Sequence, residues 1–250
     1  MREEIHEYYS KFREIYTKEN YPEWFNFCNK NNEQYGNEGY KLGKSGHKLG
    51  HFAILQTPIY DKKNIIIVGN NNSWFVPGNI RKSLEVVRNL EEGVPEENFY
   101  TKNESDFARD LNSYFANNGD KAKNIFDNNT IGLNRLWIQT GPKCPPSKCD
   151  LNDAIKSNPA LKKEWKLLEK KCMQWTKEII EILSPKLLLL LGGEAKKLYP
   201  EEGYHKGFWV QHCYAPSYRR FKQVGFSSLS ELSQYKEKKI RNGLEQAGLI

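Results

Sequence analysis

A stretch near the C-terminus combines an imidazole, a rigid turn and an aromatic, arginine-rich tip. Its sequence is Gln211-His212-Cys213-Tyr214-Ala215-Pro216-Ser217-Tyr218-Arg219-Arg220. An imidazole and a hydroxyl can donate hydrogen bonds to a base, while a ring and two guanidinium groups can fill the gap left by an extruded nucleotide and bind its flanking phosphates. This layout is typical of a loop that probes a DNA duplex. Two structural interpretations stay open. His212 could be paired to a backbone carbonyl, and the arginine-rich tip could be an exposed basic turn without a DNA contact.

Three other apolar runs also end abruptly in polar residues that favour turns. They are 65–68 before Gly69-Asn70-Asn71-Asn72, 136–138 before Gln139-Thr140-Gly141, and 187–191 before Gly192-Gly193. Short runs without alternation are typical of strands buried on both faces, and a fourth run at 208–212 leads into the loop above. Because the carboxyl ends of parallel strands meet at one sheet edge, we expect the four polar segments to lie together.

The elements that must position these segments alternate between strand and helix. Helical periods cover 4–17, 80–90, 105–115 and 161–183, and the second strand is expected at 135–139. The alternation predicts an α/β fold with three layers, α/β/α, around a central, mainly parallel sheet of four strands.

The remaining segments complete a single predicted domain over 1–250. Residues 1–50 are a helix followed by a long loop at 29–50, 64–220 form the core with a short helical piece at 194–199, and 228–246 form a C-terminal helix. Ser228-x-x-Glu231 is a capping box that opens this last helix.

Composition favours a soluble protein with a polyanionic partner. The 250 residues carry 38 Lys plus Arg against 31 Asp plus Glu, a net charge of +7, which suits DNA but also serves ordinary solubility. Five cysteines without a CxxC pair point to a reducing cytoplasm and not to a disulfide framework. No apolar run is long enough to span a bilayer, so we expect no membrane contact, and we expect a monomer.

These motifs resemble the uracil-DNA glycosylase superfamily over about residues 64–220, in the right order. The segment from Gly69 to Phe75 is similar to the water-activating motif of the single-strand-selective branch, which aligns Asn71 with its catalytic asparagine. The segment from Ala215 to Arg219 resembles the His-Pro-Ser motif and its intercalating loop. Trp137 to Pro146 and Leu183 to Ala195 are similar to two stretches of the branch that carries an iron-sulfur cluster.

The resemblance implies a glycosylase that extrudes a base and hydrolyses its N-glycosidic bond. Asn71 would orient the attacking water through its amide oxygen, and a shift of register would give this role to Asn70 or Asn72. The structural alternative is that the Asn-rich turn only caps the strand. His212, assisted by Ser217, would donate to the leaving base. Trp74 or Phe75 would stack on that base or belong to the core. Tyr218, Arg219 and Arg220 would contact the flanking DNA.

Two departures from the superfamily bear on the substrate. Gln139 and Thr140 stand where the uracil-reading asparagine is common, and Ala215 stands where the histidine of His-Pro-Ser is expected. An alanine enlarges the pocket and removes a donor, so we expect a modified or bulkier pyrimidine, and a role in defence against modified foreign DNA would suit that pocket. Plain uracil would remain the substrate if His212 supplies the lost donor.

The sequence also predicts what the site lacks. Lys143 binds phosphate or is solvated, so we expect a monofunctional enzyme without lyase activity. Cys144 and Cys172 match two cluster positions, but Cys28 stands alone, so we expect neither an iron-sulfur cluster nor another metal or cofactor. The alternative from a different class is a non-catalytic DNA-binding module of the same fold.

Overall fold

The computed structural model describes residues 2–37, 49–50, 62–70, 111–112, 114–115, 125–126, 129–138, 140, 151–214 and 220–250. Within these ranges the chain forms two compact units. The first holds the described residues up to 50, from 136 to 140 and from 151 to 176; the second holds those between 62 and 70, 111 and 135, and 177 and 250. The single domain stays a prediction.

The second unit is built on a mostly parallel sheet, which confirms the α/β class. Its strands are β1 Ile65–Gly69, β2 Thr130–Asn134, β3 Leu187–Leu191, β4 Gly203–His205 and β5 Phe208–Cys213, in the order β2-β1-β3-β5-β4. The neighbouring strands β2, β1, β3 and β5 pair in parallel, and β4 runs antiparallel to β5. The predicted runs at 65–68, 187–191 and 208–212 are therefore strands.

The sheet departs from the prediction in having five strands among the described residues and not four. The additional strand, β4, lies at the edge and joins β5 through a tight turn in which Lys206 and Gly207 have φ of 47° and 94°. Its three residues contain no apolar run, so hydrophobic pattern alone gave no signal for it.

The position predicted for the second strand was wrong. The strand is Thr130–Asn134, whereas Leu136, Trp137 and Ile138 come after its end. These three side chains are buried because they belong to the aromatic core of the first unit, where Trp137 Nε1 donates to Thr176 Oγ1 at 2.9 Å. These buried residues follow the strand, and their apolar run has the same pattern as a buried strand.

Both faces of the sheet are buried. Alternate residues such as Ile67 and Leu189 point into a cluster closed by Ile240 and Leu244 of the C-terminal helix, α5, Leu229–Gln246. Residues of opposite parity, such as Val68 and Leu190, are buried as well. Such burial explains why the strands read as continuous apolar runs.

The predicted cap of α5 is half confirmed. Ser228 Oγ accepts from the Glu231 N–H at 3.1 Å, as the first half of a capping box requires. The Glu231 carboxylate, however, accepts from the N–H and hydroxyl of Ser227 at 2.7 and 2.6 Å. The helix thus begins where the motif places it, with one residue more in the cap.

The first unit is helical, with an aromatic core. Its helices are α1 Arg2–Ile15, α2 Pro22–Asn37, α3 Leu151–Ser157 and the first part of α4 Pro159–Leu183, whose last residues belong to the second unit. The rings of Phe12, Trp137 and Trp175 pack with centroids 5.1 to 6.1 Å apart. The predicted helices at 4–17 and 161–183 are confirmed within a few residues.

Residues 29–37 correct the loop predicted at 29–50, because they are the second half of α2. Their Asn-rich sequence has low helix propensity, but tertiary contacts at the start of the helix override it. Glu164 of α4 accepts the N–H groups of Glu23 and Trp24 at 3.3 and 2.8 Å, which caps the N-terminus of α2. Trp24 itself is fully buried.

Two predicted helices cannot be followed through the chain. The one at 80–90 lies outside the described residues, and of the one at 105–115 only Leu111 and Asn112 are described as helical. The helical piece at 194–199 is a short 3-10 helix, Ala195–Lys197. No described helix has the length and apolar character that crossing a membrane requires.

Candidate functional site

The strand order creates a topological switch point in the second unit. β1 lies between β2 and β3 in the sheet. The chain therefore passes from β1 to the neighbour on one side, and then crosses back to form the neighbour on the other side. In open α/β sheets, ligands bind in the crevice outside the carboxyl ends of the strands at such a point. Here that crevice is flanked by Asn70 after β1, Arg135 after β2 and Gly192 to Glu194 after β3.

Three of these residues form a connected group, which we call the strand-end clamp: Asn70, Arg135 and Glu194. The guanidinium of Arg135 donates from Nε and Nη2 to Asn70 Oδ1 at 3.0 and 2.9 Å. Nη2 also donates to Glu194 Oε2 at 3.0 Å. The Arg135 side chain is 1% exposed, and its backbone N–H donates to the Gly69 carbonyl at 2.9 Å. The clamp therefore ties together the ends of three parallel strands.

The clamp fixes the orientation of the Asn70 amide. Arginine only donates hydrogen bonds, so the atom that faces it must be the amide oxygen. That oxygen already accepts two N–H groups. Asn70 is thus poorly placed to orient a water, and its register alternatives Asn71 and Asn72 lie outside the described residues.

Glu194 gives the crevice a carboxylate that the sequence analysis did not assign to it. Its Oε2 is shared by Arg135 and by Lys197, whose Nζ donates at 2.7 Å. Glu194 is half exposed, whereas Arg135 is buried.

His212 is held by a backbone carbonyl. Its Nε2 lies 2.8 Å from the Tyr199 carbonyl oxygen, and because that oxygen only accepts, Nε2 carries the hydrogen. Nδ1 lies 4.0 Å from Glu202 Oε1, beyond hydrogen-bond distance. The contacts are those of a structurally paired histidine, one of the two interpretations above, and donation to a leaving base stays a prediction.

A second polar cluster surrounds Glu202 at the end of the sheet. Glu202 accepts from the Lys239 ammonium at 2.7 Å, from Gln211 Nε2 at 2.8 Å and from the His212 N–H at 3.0 Å. Burial opposes ionisation of Glu202, but the hydrogen bonds from Lys239 and His212 outweigh it and lower the pKa of the carboxyl. The cluster joins β5, the segment before β4 and α5, so its role is to hold elements together.

The predicted site residues divide between described and undescribed positions. Asn70, Thr140, His212 and Arg220 are described; the others lie outside the described residues, namely Asn71, Asn72, Trp74, Phe75, Gln139, Lys143, Ala215, Ser217, Tyr218 and Arg219. Asn70 and His212 belong to the two separate clusters above. Thr140 is half-buried in the first unit, and Arg220 is exposed before the 3-10 helix Phe221–Val224.

Sequence reasoning missed Arg135, Glu194, Glu202 and Lys239. One signal was present for Arg135, because the polar pair Asn134-Arg135 interrupts the apolar residues between 131 and 138 and so marks the end of a strand. Glu194 directly follows two glycines at the end of another strand. The charged pairs themselves join residues far apart in the chain, which no local pattern reveals.

Among the described residues, no group of three or more His, Cys, Asp or Glu side chains could hold a metal ion. Cys28, Cys172 and Cys213 are buried and are not joined in disulfides. Burial raises the pKa of the Cys213 thiol to about 12, against the opposing charges of Lys236, Lys196 and Lys239. Cys144 lies outside the described residues, so the absence of an iron-sulfur cluster stays a prediction.

Comparison with known proteins names no relative, since no protein-family model and no curated protein matches the chain.

Proposed function

We propose that the chain is a monofunctional DNA glycosylase with a uracil-DNA glycosylase-like, three-layer α/β/α core. The observation that carries this proposal is the strand-end clamp at the β1/β3 switch point. The clamp holds Asn70, which directly follows β1. The next residue is Asn71, which the resemblance aligns with a catalytic asparagine. A buried guanidinium that fixes the start of a short catalytic segment is a suitable support for precise positioning.

The proposed reaction is hydrolysis of the N-glycosidic bond of an extruded nucleotide. Water adds to C1′ of the sugar, the bond from C1′ to the base nitrogen breaks, and its electron pair leaves with the base. The proton of the attacking water goes to solvent or to the base. Asn71 orients the water, and nearby donors stabilise the charge that develops on the base. The product is an abasic site.

The substrate is proposed to be a modified pyrimidine, for the reasons of residue type given above. Ala215 leaves more room than a histidine would, and Gln139 with Thr140 replaces an asparagine that reads uracil. Such a pocket would accept a substituent on the base that a plain uracil site excludes. Defence against modified foreign DNA is the biological role that this substrate would serve.

A non-catalytic DNA-binding module is the second candidate function. The observation that favours it is the hydrogen bond from His212 Nε2 to the Tyr199 carbonyl at 2.8 Å, because this nitrogen is then not available to donate to a leaving base. The two candidates share the fold and the DNA partner but differ in turnover.

Incubation with a panel of modified DNAs tests the proposal. Substrates would carry uracil, thymine mismatches, and 5-substituted or glycosylated cytosines, with released base measured by mass spectrometry and abasic sites by alkaline cleavage. We expect the wild type to release a bulky modified base. In Asn71→Ala the rate of base release should be at least about 100-fold lower, while the affinity for DNA stays unchanged. The matched control, Asn70→Asp, keeps the clamp and should keep turnover.

The alternative outcomes separate the candidates. Release of uracil alone would show that the argument from Ala215 is wrong. No release from any substrate, together with firm DNA binding by the wild type and by Asn71→Ala, would replace the enzyme with the binding module.

A further inference from the structure

An aromatic patch lies where β3 and β5 end, next to the strand-end clamp. The N–H of Gly192, after β3, donates to the carbonyl of Cys213, the last residue of β5, at 2.8 Å. Tyr214 follows, and its ring centroid lies 5.9 Å from that of Tyr235 on α5. Phe226 also packs on Tyr235, with ring centroids 5.1 Å apart. All three rings are half-buried.

One cation contacts this patch, and two more lie on the turn that carries one of its rings. Lys196, in the 3-10 helix that follows β3, places its ammonium 5.7 Å from the centroid of the Tyr214 ring. Arg220 and Lys222 are exposed on the turn that leads to Phe226. The N–H of Phe226 donates to the Phe221 carbonyl at 3.1 Å, which closes this turn. We call Lys196, Arg220 and Lys222, together with the three rings, the basic strip.

The cations of the basic strip differ from several of their neighbours in lacking acidic partners. Three other cations of the second unit are paired: Lys197 with Glu194 at 2.7 Å, Lys206 with Glu181 at 2.6 Å and Lys239 with Glu202 at 2.7 Å. For Lys196, Arg220 and Lys222, no described carboxylate lies within ion-pair distance. Three cations without counter-charges among the described residues form a surface complementary to a polyanion.

We propose that the basic strip binds the phosphates of the DNA strand that carries the target base, on the side of the crevice formed by the ends of β3 and β5. Lys196 is next in sequence to Lys197, which pairs with Glu194 of the clamp, so the strip adjoins the switch point along the same sheet edge. The rings give the sugar and base edges an apolar surface between the cations. Placement beside a target base rests on the proposed function; the binding of phosphate does not.

Salt-dependent DNA affinity tests the strip. The variant is Lys196→Ala/Lys222→Ala, measured with a fluorescent duplex that lacks any modified base, between 50 and 300 mM salt. Each lost phosphate contact lowers the slope of log K against log salt by about 0.9, so we expect the slope to fall by nearly two and the affinity at 0.1 M salt to fall by roughly 50-fold. Both residues lie on short 3-10 helices, Lys196 half-buried and Lys222 exposed, and an unchanged far-UV spectrum and Tm would verify folding.

A matched control removes the same charge from the opposite edge. Lys186 precedes β3 and Lys206 precedes β5, and both are exposed, so Lys186→Ala/Lys206→Ala changes the net charge equally at the amino ends of the strands. We expect its salt slope to stay within about 0.5 of the wild type. Equal slopes for the two double variants would overturn the strip, as would a wild type that does not bind DNA.

The outcome for the strip is separable from that for the enzyme. A reduced slope in a protein that releases no base would support the strip while the glycosylase proposal fails. Base release by the wild type with an unchanged slope in Lys196→Ala/Lys222→Ala would overturn the strip and leave the glycosylase proposal standing.

Discussion

A guanidinium group excluded from water must find acceptors for its five N–H donors, because an uncompensated buried charge costs several kcal/mol. Arg135 directs three of its hydrogen bonds to an amide oxygen of Asn70 and a carboxylate oxygen of Glu194. The arrangement gives specificity of geometry more than net stability, since a buried ion pair rarely outperforms apolar packing of the same volume. At the residue scale, the clamp is therefore best understood as a device that fixes where β1 ends.

Substitutions of Asn70 test this interpretation. Asn70→Ala removes the acceptor of two guanidinium N–H groups, so we expect the free energy of unfolding to fall by about 1–3 kcal/mol and any base-release kcat to fall about tenfold or more, with KM little changed. Asn70→Asp keeps an oxygen in the same place and should retain both. Urea denaturation and single-turnover kinetics measure the two effects.

Lys197→Ala is the control for the Asn70 pair, because it removes the other partner of Glu194 and leaves Asn70 and Arg135 in contact. Exposed ion pairs contribute about 0–1 kcal/mol, so this variant should be near wild type. If Asn70→Ala and Asn70→Asp proved equally stable and equally active, the clamp would have no positioning role.

At the scale of elements, close packing of α5 on the sheet holds the carboxyl end of β5. Gly243 faces Gln211 of β5 and Leu187 of β3, and a Cβ atom at this position would lie 3.0 Å from Gln211 Cβ and 3.2 Å from Leu187 Cδ1. A glycine in the middle of a helix is normally unfavourable by about 1 kcal/mol relative to alanine. Here the absence of a side chain lets the helix approach the strands.

Gly243→Ala should therefore destabilise the protein although it raises helix propensity. Overpacking costs about 1–3 kcal/mol, so we expect a net loss of about 1 kcal/mol in the free energy of unfolding, measured by urea denaturation. Gln234→Ala, at an exposed position of the same helix, should change it by less than about 0.5 kcal/mol. A gain in stability for Gly243→Ala would show that α5 can move away from the sheet at no cost.

At the scale of the whole molecule, charge acts in two ways. The surplus of +7 suits a polyanionic partner, whereas Arg135, Lys197, Lys206, Lys239 and Arg241 pair with acidic groups of the second unit. Glu202 is the centre of one such group, and it connects β5 to α5 through Gln211, His212 and Lys239. Global stability is expected to depend on the ionisation of this one carboxyl.

The pH dependence of unfolding tests the role of Glu202. Its pKa is lowered in the folded protein from an ordinary value of 4.5, so its stabilising contribution is fully present above pH 4.5 and is lost as the pH falls through the lower folded pKa. We expect wild-type stability to fall more between pH 6 and pH 3.5 than that of Glu202→Gln. Urea denaturation at both pH values measures the difference.

Glu201→Gln provides the control for this experiment, because Glu201 is exposed and its side chain makes no hydrogen bond within the described part of the chain. Its pH dependence should follow the wild type. Parallel curves for wild type and Glu202→Gln would mean that the hydrogen bonds to Glu202 do not stabilise the folded state.

Local pattern was sufficient for the α/β class, three of the parallel strands and the helices α1, α4 and α5, because strands buried on both faces and helices buried on one face must carry apolar residues at those spacings. It placed β2 five residues late, because Trp137 and its neighbours are buried by tertiary packing beyond the strand. It also missed α3 and the whole of α2, whose N-terminus depends on Glu164 from a distant helix. Local pattern reports burial, and it does not report which partner causes the burial.

The strand-end clamp was decided only by the tertiary structure. Asn70 and Arg135 are 65 positions apart, and Arg135 and Glu194 are 59 positions apart, yet their polar atoms meet within 3.0 Å. The sequence predicted that polar segments follow the strands at one edge. Which side chains pair there depends on strand order and register, which place the ends of β2, β1 and β3 side by side; the folded sheet sets both through contacts between residues far apart in the chain.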